Sequence, residues 1–223
     1  ELLQLTVSGV QADVGIALDG DGDRLVMVDH LGRLVDGDRL LYVIALDRQA
    51  QGELRGPVVG TVMSNLGLEQ ALKGRGIDFL RAAVGDRYVL ELLKQHGGVL
   101  GGETSGHLLC LDRTTTGDGL VSALQVLAVM KRTGRSLAEL AAGMPQFPQV
   151  MINVKIRSRI NPRESEPIQA HVRRVEESLG STGRVVLRAS GTEPLIRVMV
   201  EGQDEAVVMR HAEELAETVR RAV

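Results

Sequence analysis

Three carboxylates alternate with two glycines in the five-residue segment 19–23, and Arg24 follows directly. Three like charges this close repel one another, so a cation among them would make the arrangement tolerable. Glycine lets the backbone curl at unusual dihedral angles, which would bring the three side chains together. Carboxylate oxygens suit Mg²⁺ or Ca²⁺ better than zinc. This segment, called the acidic loop below, therefore predicts a hard-metal site formed by Asp19, Asp21 and Asp23.

An EF-hand calcium loop and a plain surface turn are the alternatives for the acidic loop. The EF-hand loop needs Gly at its sixth position and Glu at its twelfth, where this sequence has Arg24 and His30. A surface turn rarely needs three acids in five residues. Since Mg²⁺ usually completes its coordination shell with water or phosphate, a magnesium site here suggests phosphoryl chemistry.

The loop 101–107 follows a predicted strand and carries residue types that recognise sugars. Glu103, Ser105 and His107 offer a carboxylate, a hydroxyl and an imidazole. Ligands bind at the carboxyl ends of strands in a parallel sheet, which is where this loop is expected. His107 is also a candidate general acid or base. The alternatives are a structural turn for the loop and a packed or surface histidine for His107.

The turn 190–194 joins two predicted strands and is flanked by arginines. Hydroxyl, backbone N–H and guanidinium groups around it would make a phosphate cradle. The candidate residues are Arg188, Ser190, Gly191, Thr192 and Arg197. A plain hairpin turn with two solvent-facing arginines is the alternative. Arg87 is open as a further phosphate contact, whereas the adjacent Asp86 is expected to cap a helix.

The composition excludes several classes of protein. The net charge of −3, without a long basic run, argues against a nucleic-acid-binding surface. No apolar stretch is long enough to span a bilayer. The single cysteine, Cys110, excludes an intrachain disulfide, is expected in the core, and fits a reducing, cytoplasmic compartment. The chain starts at Glu1 inside an apparent helix, so we expect it to be a piece of a longer protein.

The pattern of elements changes near the Pro-containing segment 144–148, which we interpret as a linker. Before it, strands alternate with helices, which predicts an α/β domain with a mixed, largely parallel sheet and flanking helices. After it, three strands and two amphipathic helices predict a smaller C-terminal α+β domain. We therefore divide the chain into residues 1–35, which carry the acidic loop, 36–145 and 146–223.

Apolar spacing and capping residues predict the individual elements. Strands are expected at 14–18, 25–29, 58–63, 77–83, 99–100, 108–112, 150–157, 184–189 and 196–200. Helices are expected at 39–49, 66–73, 87–96, 119–131, 166–179 and 204–223. The expected helix-capping residues are Asp36 or Asp38, Asn65, Asp86 and Asp118.

The three loops, at these separations and in these two kinds of domain, resemble the α-D-phosphohexomutase superfamily along the whole chain. The acidic loop is similar to its metal loop, residues 102–107 to its sugar-specificity loop, and residues 188–194 to its phosphate-binding loop. Three further stretches are similar to the bacterial subgroup that acts on glucosamine phosphates: 84–89, 115–119 and 194–202. Thr104 departs from that subgroup, which usually carries Gln there.

The resemblance implies a four-domain mutase, of which this chain covers the end of the second domain and all of the third and fourth. It implies interconversion of glucosamine 6-phosphate and glucosamine 1-phosphate through a phosphoserine and a bisphosphate intermediate. Glucose or mannose phosphates are the alternative substrates, and a non-catalytic sugar-phosphate-binding module is the alternative of another class. The phosphoserine would lie in the missing N-terminal half, so the chain is expected to be inactive alone.

The resemblance also implies a role for each candidate residue. Mg²⁺ would be bound by Asp19, Asp21 and Asp23, while Arg24 and His107 would act in catalysis. The substrate-binding set would be Arg87, Glu103, Ser105, Arg188, Ser190, Gly191, Thr192 and Arg197. The expected partners are a sugar phosphate and the missing N-terminal half of the same protein, with no nucleic acid and no membrane.

Overall fold

The computed structural model describes residues 1–156, 161–190 and 193–222. Two compact units are present, Glu1–Pro145 and Gln146–Val223. The first is a mixed α/β unit and the second a smaller α+β unit, so the predicted fold class is confirmed. Residues 1–35 and 36–145 both lie in the first unit, and their assignment to two domains stays a prediction. No described helix is long and apolar enough to cross a membrane.

The first unit is built from short strands and helices that alternate along most of its length. Its strands are β1 (Val14–Leu18), β2 (Leu25–Asp29), β3 (Leu34–Val35), β4 (Val58–Thr61), β5 (Phe79–Ala82), β6 (Leu100–Gly102) and β7 (Leu108–Cys110). Its helices are α1 (Leu2–Val10), α2 (Gly37–Gln51), α3 (Leu66–Lys73), α4 (Asp86–His96), α5 (Gly119–Thr133) and α6 (Leu137–Ala141).

Two sheets organise this unit. The first is antiparallel with the strand order β1-β2-β3. The second has the order β5-β4-β6-β7, in which β4 pairs in parallel with β5 and β6, and β7 is antiparallel to β6. The parallel pairs place the carboxyl ends of β4 and β6 at one edge, where the loop 103–107 begins. Cys110 is buried in the aliphatic core, as predicted.

Three of the four predicted helix caps are present in the structure. Asp36, Asn65 and Asp118 each accept a backbone N–H in the first turn of α2, α3 and α5. The expectation for Asp86 is wrong, because Gly85 is the N-cap of α4 and has a φ of 127° that favours glycine. The sequence did not predict α6, because five residues are too few to show a helical period.

The second unit is a three-stranded antiparallel sheet with helices against one face. Its strand order is β8-β10-β9, and α7 and α8 supply the apolar residues that meet the central strand. The elements are β8 (Gln149–Lys155), α7 (Glu166–Leu179), a 3₁₀ turn (Gly180–Thr182), β9 (Gly183–Ala189), β10 (Leu195–Gly202) and α8 (Glu205–Ala222). Ile196, Val198 and Val200, at alternate positions of β10, enter the core with these helices.

Candidate functional site

The acidic loop connects β1 to β2, whose last register pair is Leu18 with Leu25. Two backbone hydrogen bonds close the loop, from the Asp19 N–H to the Arg24 carbonyl at 3.4 Å and from the Gly22 N–H to the Asp19 carbonyl at 3.2 Å. Gly22 has a φ of 71°, a conformation that favours glycine. Gly22 thus serves a tight hairpin connection at the carboxyl end of β1.

Each carboxylate of the acidic loop has a different environment. Desolvation acts to raise the pKa of Asp19, but the Arg24 N–H, the Asp23 side chain and the Arg24 charge together lower it. Asp23 Oδ2 lies 3.1 Å from His107 Nδ1. Asp21 is exposed and makes no hydrogen bond or ion pair with any described residue. Of the three acids in the acidic loop, Asp21 is therefore the one whose carboxylate has no protein partner within residues 1–156, 161–190 and 193–222.

No three His, Cys, Asp or Glu side chains come close enough to hold a metal ion in the part of the chain that the structure describes. Asp19 accepts the Arg24 N–H at 3.3 Å, and the Asp23 carboxylate lies against His107. The donor set still fits Mg²⁺ chemically, because three carboxylates on one short loop are hard oxygen ligands. Metal binding by the acidic loop stays a prediction.

His107 links the acidic loop to the loop that follows β6. His107 is 6% exposed. A Cβ built on Gly117 would lie 2.2 Å from His107 Nε2, so the imidazole ring packs directly against that glycine. Its backbone forms an isolated β-bridge with Arg24. The Leu25 N–H donates to the Gly106 carbonyl at 3.0 Å. The imidazole thus connects two loops that are 84 residues apart in the chain.

The segment 103–107, called the substrate loop below, is held at both ends. Glu103 Oε1 accepts the Gly85 N–H at 3.0 Å, and the Gly106 N–H donates to the Glu103 carbonyl at 2.9 Å. Ser105, in contrast, is exposed and its hydroxyl makes no bond with a described residue. Glu103 Oε2 likewise makes none within the described ranges. Two polar groups of this loop are therefore available to a ligand.

Arg87 is the second residue of α4, next to the turn that Glu103 holds. Its guanidinium pairs with Glu91 at 3.2 Å and lies 5.0 Å from the centre of the Tyr88 ring. Both partners of the ion pair are more than half exposed, so this pair contributes little stability and is easily exchanged for another anion. A phosphate contact by Arg87 stays a prediction.

Asp38 is a buried acid that the sequence offered only as a possible helix cap. Since Asp36 caps α2, Asp38 falls in the first turn, where it is fully buried. Its Oδ2 accepts the Asn65 N–H and the Thr104 hydroxyl, both at 2.8 Å. Burial raises the pKa of Asp38 to about 6, the neighbouring charge of Asp36 adds to this, and hydrogen bonding with Asn65, Thr104 and Ser64 opposes it.

The raised pKa predicts that Asp38 makes the folded chain less stable as the pH rises. Between pH 4 and pH 6 the folded chain binds this proton more tightly than the unfolded chain, so this residue's contribution to stability falls as pH rises and is lowest above pH 6. We expect Asp38→Asn, which keeps an acceptor oxygen, to remove that fall. Relative to the native chain, the variant should gain on the order of 3 kcal/mol between pH 4 and pH 7.

Urea denaturation followed by tyrosine fluorescence can measure this difference. Both tyrosines of the chain, Tyr42 and Tyr88, lie in the first unit and so report on its unfolding. Asp13→Asn, at an exposed acid of the same unit, is the matched control and should leave the pH profile unchanged. Parallel stability profiles for native and Asp38→Asn chains would contradict the prediction.

The second unit brings two arginines side by side across adjacent strands. Arg188 of β9 is the register partner of Arg197 of β10, and both Nε atoms are buried without a hydrogen-bond partner in the described ranges. Burial lowers the pKa of Arg188, and the Arg197 charge adds to this effect. No described carboxylate forms an ion pair with either guanidinium. Two adjacent cations without a counter-ion favour an anionic ligand.

The turn beside the arginine pair is partly described. Its first residue, Ser190, donates its N–H to the Leu195 carbonyl at 2.8 Å, and its Oγ accepts the Glu193 N–H at 3.3 Å. Gly191 and Thr192 lie outside the described residues, so their predicted phosphate contacts stay predictions.

Sequence profiles of one enzyme family match most of the chain. The profile described as phosphoglucomutase/phosphomannomutase, alpha/beta/alpha domain III, matches residues 36–147. The profile described as the C-terminal domain of the same family matches residues 151–218.

Curated relatives match over the full length of the chain. A phosphoglucosamine mutase of Methylococcus capsulatus is 60% identical over 222 residues, which are 100% of this chain and 50% of the relative. One of Alkalilimnicola ehrlichii is also 60% identical, over 99% of this chain and 49% of the relative. The chain thus spans about half the length of the curated relatives it matches.

Solved structures share the fold at low identity. An Aspergillus fumigatus N-acetylphosphoglucosamine mutase, in complex with GlcNAc-6P and magnesium, has a TM-score of 0.78 and 22% identity over 94% of this chain and 49% of its own. A phosphoglucomutase/phosphomannomutase family protein of Burkholderia thailandensis has a TM-score of 0.80 and 22% identity over 100% of this chain and 49% of its own.

Proposed function

Because the chain belongs to the phosphoglucomutase/phosphomannomutase family, we propose that it is the C-terminal half of a phosphoglucosamine mutase. The observation that carries this proposal is the 60% identity to phosphoglucosamine mutases along the whole chain. The reaction would interconvert glucosamine 6-phosphate and glucosamine 1-phosphate. A phosphoryl group would pass from a serine outside this chain to one sugar oxygen, and the phosphoryl group on the other oxygen would return to serine.

The acidic loop would hold the magnesium ion of this reaction through Asp19, Asp21 and Asp23. Bound magnesium would neutralise negative charge on the transferring phosphoryl group. Arg24 would add a positive charge beside the loop, since its guanidinium is 56% exposed and only 3.9 Å from Asp19. His107 would hold Asp23 through the 3.1 Å contact of its Nδ1 and would be a partner for proton transfer.

The substrate loop and the arginine pair would bind the sugar phosphate. Ser105 and Glu103 Oε2 have no partner among the described residues and would bind the polar groups of the sugar. Arg87 would add a cation beside them. In the second unit, Arg188 and Arg197 would bind a phosphate, with Ser190, Gly191 and Thr192 as further donors.

Two other assignments compete with this proposal. The same residues would serve a mutase acting on glucose or mannose phosphates, because phosphate and metal binding do not depend on the sugar. A non-catalytic module that binds a sugar phosphate would use the substrate loop and the arginine pair but not the acidic loop. The three clustered carboxylates of the acidic loop favour the enzyme, since a binding module has no use for a metal site.

A hybrid enzyme tests the proposal. The N-terminal half of the Methylococcus capsulatus relative is joined to this chain at the aligned position, and the rates on glucosamine, glucose and mannose phosphates are compared. We expect the 223-residue chain alone to be inactive and the hybrid to prefer glucosamine phosphates. A preference for glucose or mannose phosphates would overturn the proposed substrate. Turnover by the chain alone would overturn the proposal that the reaction needs a serine outside this chain.

A further inference from the structure

We propose that Asp38, acting through Thr104, is a positioning residue that sets the conformation of the substrate loop and thereby its choice of sugar. The inference rests on the proposed function. Asp38 touches neither the acidic loop nor the two free polar groups of the substrate loop, so its effect would be transmitted through Thr104 alone.

The carboxylate of Asp38 joins three segments that are distant in the sequence. It belongs to the first turn of α2, accepts the N–H of Asn65 at the start of α3, and accepts the hydroxyl of Thr104, which is 66 residues away in the chain. A hydrogen bond to a buried charged acceptor is roughly twice as strong as one between neutral groups. The hydrogen bond to Asp38 in α2 therefore fixes the side-chain rotamer of Thr104.

The backbone of α2 reinforces this attachment. The Gly37 N–H donates to the Thr104 carbonyl at 3.1 Å. A Cβ at Gly37 would lie 2.1 Å from the Glu103 carbonyl oxygen and 2.7 Å from the Gly106 nitrogen, so the start of α2 is in direct contact with the loop. Thr104 is thus bound to α2 at two atoms, its carbonyl oxygen and its hydroxyl.

Thr104 lies between the two residues that offer free polar atoms to a ligand. On one side, Glu103 uses only Oε1 within the described structure; on the other, the hydroxyl of Ser105 is exposed. The Thr104 carbonyl and the Ser105 nitrogen belong to one peptide plane, so holding Thr104 restrains the backbone on which Ser105 stands. A carboxylate pairs more strongly with the ammonium of glucosamine than with the hydroxyl of glucose, so the position of Glu103 Oε2 would decide between these sugars.

Thr104→Val in the hybrid enzyme tests this inference, because it keeps the β-branched shape and removes the hydroxyl. We expect the KM for glucosamine 6-phosphate to rise about tenfold and the preference for glucosamine over glucose phosphates to fall by a similar factor. Thr104→Ser keeps the hydroxyl and should retain the native preference within about twofold. Thr133→Val, which removes a hydroxyl bonded within α5, is the matched control and should leave the preference unchanged.

A purely structural role for Thr104 would lower the rates on both sugars by the same factor. An unchanged preference in Thr104→Val would therefore overturn the inference. If Thr104→Val does not fold, Thr104→Ala, which also lacks the hydroxyl, takes its place. Failure of the proposed function is seen separately, because the unsubstituted hybrid would then not interconvert the glucosamine phosphates.

Discussion

Asp21→Asn should lower the turnover of the hybrid enzyme by about 10²–10³-fold while leaving its fold intact. Losing one anionic ligand weakens the stabilisation of a transferring phosphoryl group by several kcal/mol, and about 1.4 kcal/mol corresponds to tenfold in rate. The fold should survive because the Asp21 side chain has no bonding partner in the described part of the chain. Steady-state kinetics and urea denaturation measure the two effects separately.

Asp13→Asn is the matched control for this substitution. Asp13 is also an exposed acid of the first unit, one residue before β1, whereas Asp21 follows the same strand. The control should keep native activity. Metal affinity gives a second readout that does not depend on turnover, and calorimetry should show weaker Mg²⁺ binding for Asp21→Asn only. Equal turnover for both variants would contradict a metal-binding role for the acidic loop.

Gly106→Ala should destabilise the first unit by roughly 3–5 kcal/mol, since the overpacking of a close backbone contact adds to the strain of a positive φ. A Cβ at this position would lie 2.0 Å from the carbonyl oxygen of Leu25, which is backbone and cannot rotate away. Gly106 also has a φ of 91°. A positive φ brings Cβ close to a backbone carbonyl oxygen, as in a left-handed helix, and costs a residue with a side chain about 1–2 kcal/mol more. Relief of the clash would have to break the hydrogen bond from the Leu25 N–H to the Gly106 carbonyl.

Gly134→Ala separates the clash from the backbone strain. Gly134 ends α5 with a φ of 67°, and no heavy atom lies within 4 Å of a Cβ built there. It should cost only about 1 kcal/mol. Urea denaturation of the 223-residue chain, followed by tyrosine fluorescence, reports on the first unit for both variants. Similar losses for the two variants would show that the contact between Gly106 and Leu25 is not tight.

Much of the fold could be predicted from local sequence patterns. Helices α3 and α7 and strands β1 and β2 have the predicted bounds, because their apolar period, caps and flanking glycines are all short-range features. The change from alternating strands and helices to a smaller α+β unit was also predicted, since it follows from the order of elements. The strand β4 is shorter than expected because the polar turn after Thr61 leaves the sheet.

The sequence by itself predicts the acidic loop, the substrate loop and the turn 190–194 as candidate sites, because the residue types that suggest each one lie within a few positions of one another. Only the tertiary structure decided how they are supported. Asp38 is buried beneath Thr104, and His107 contacts Asp23, although the partners in each pair are far apart in the sequence. Arg188 lies beside Arg197 because of the register between two adjacent strands. Spacing along the chain encodes local conformation, whereas burial and side-chain partners depend on long-range packing, which no short pattern specifies.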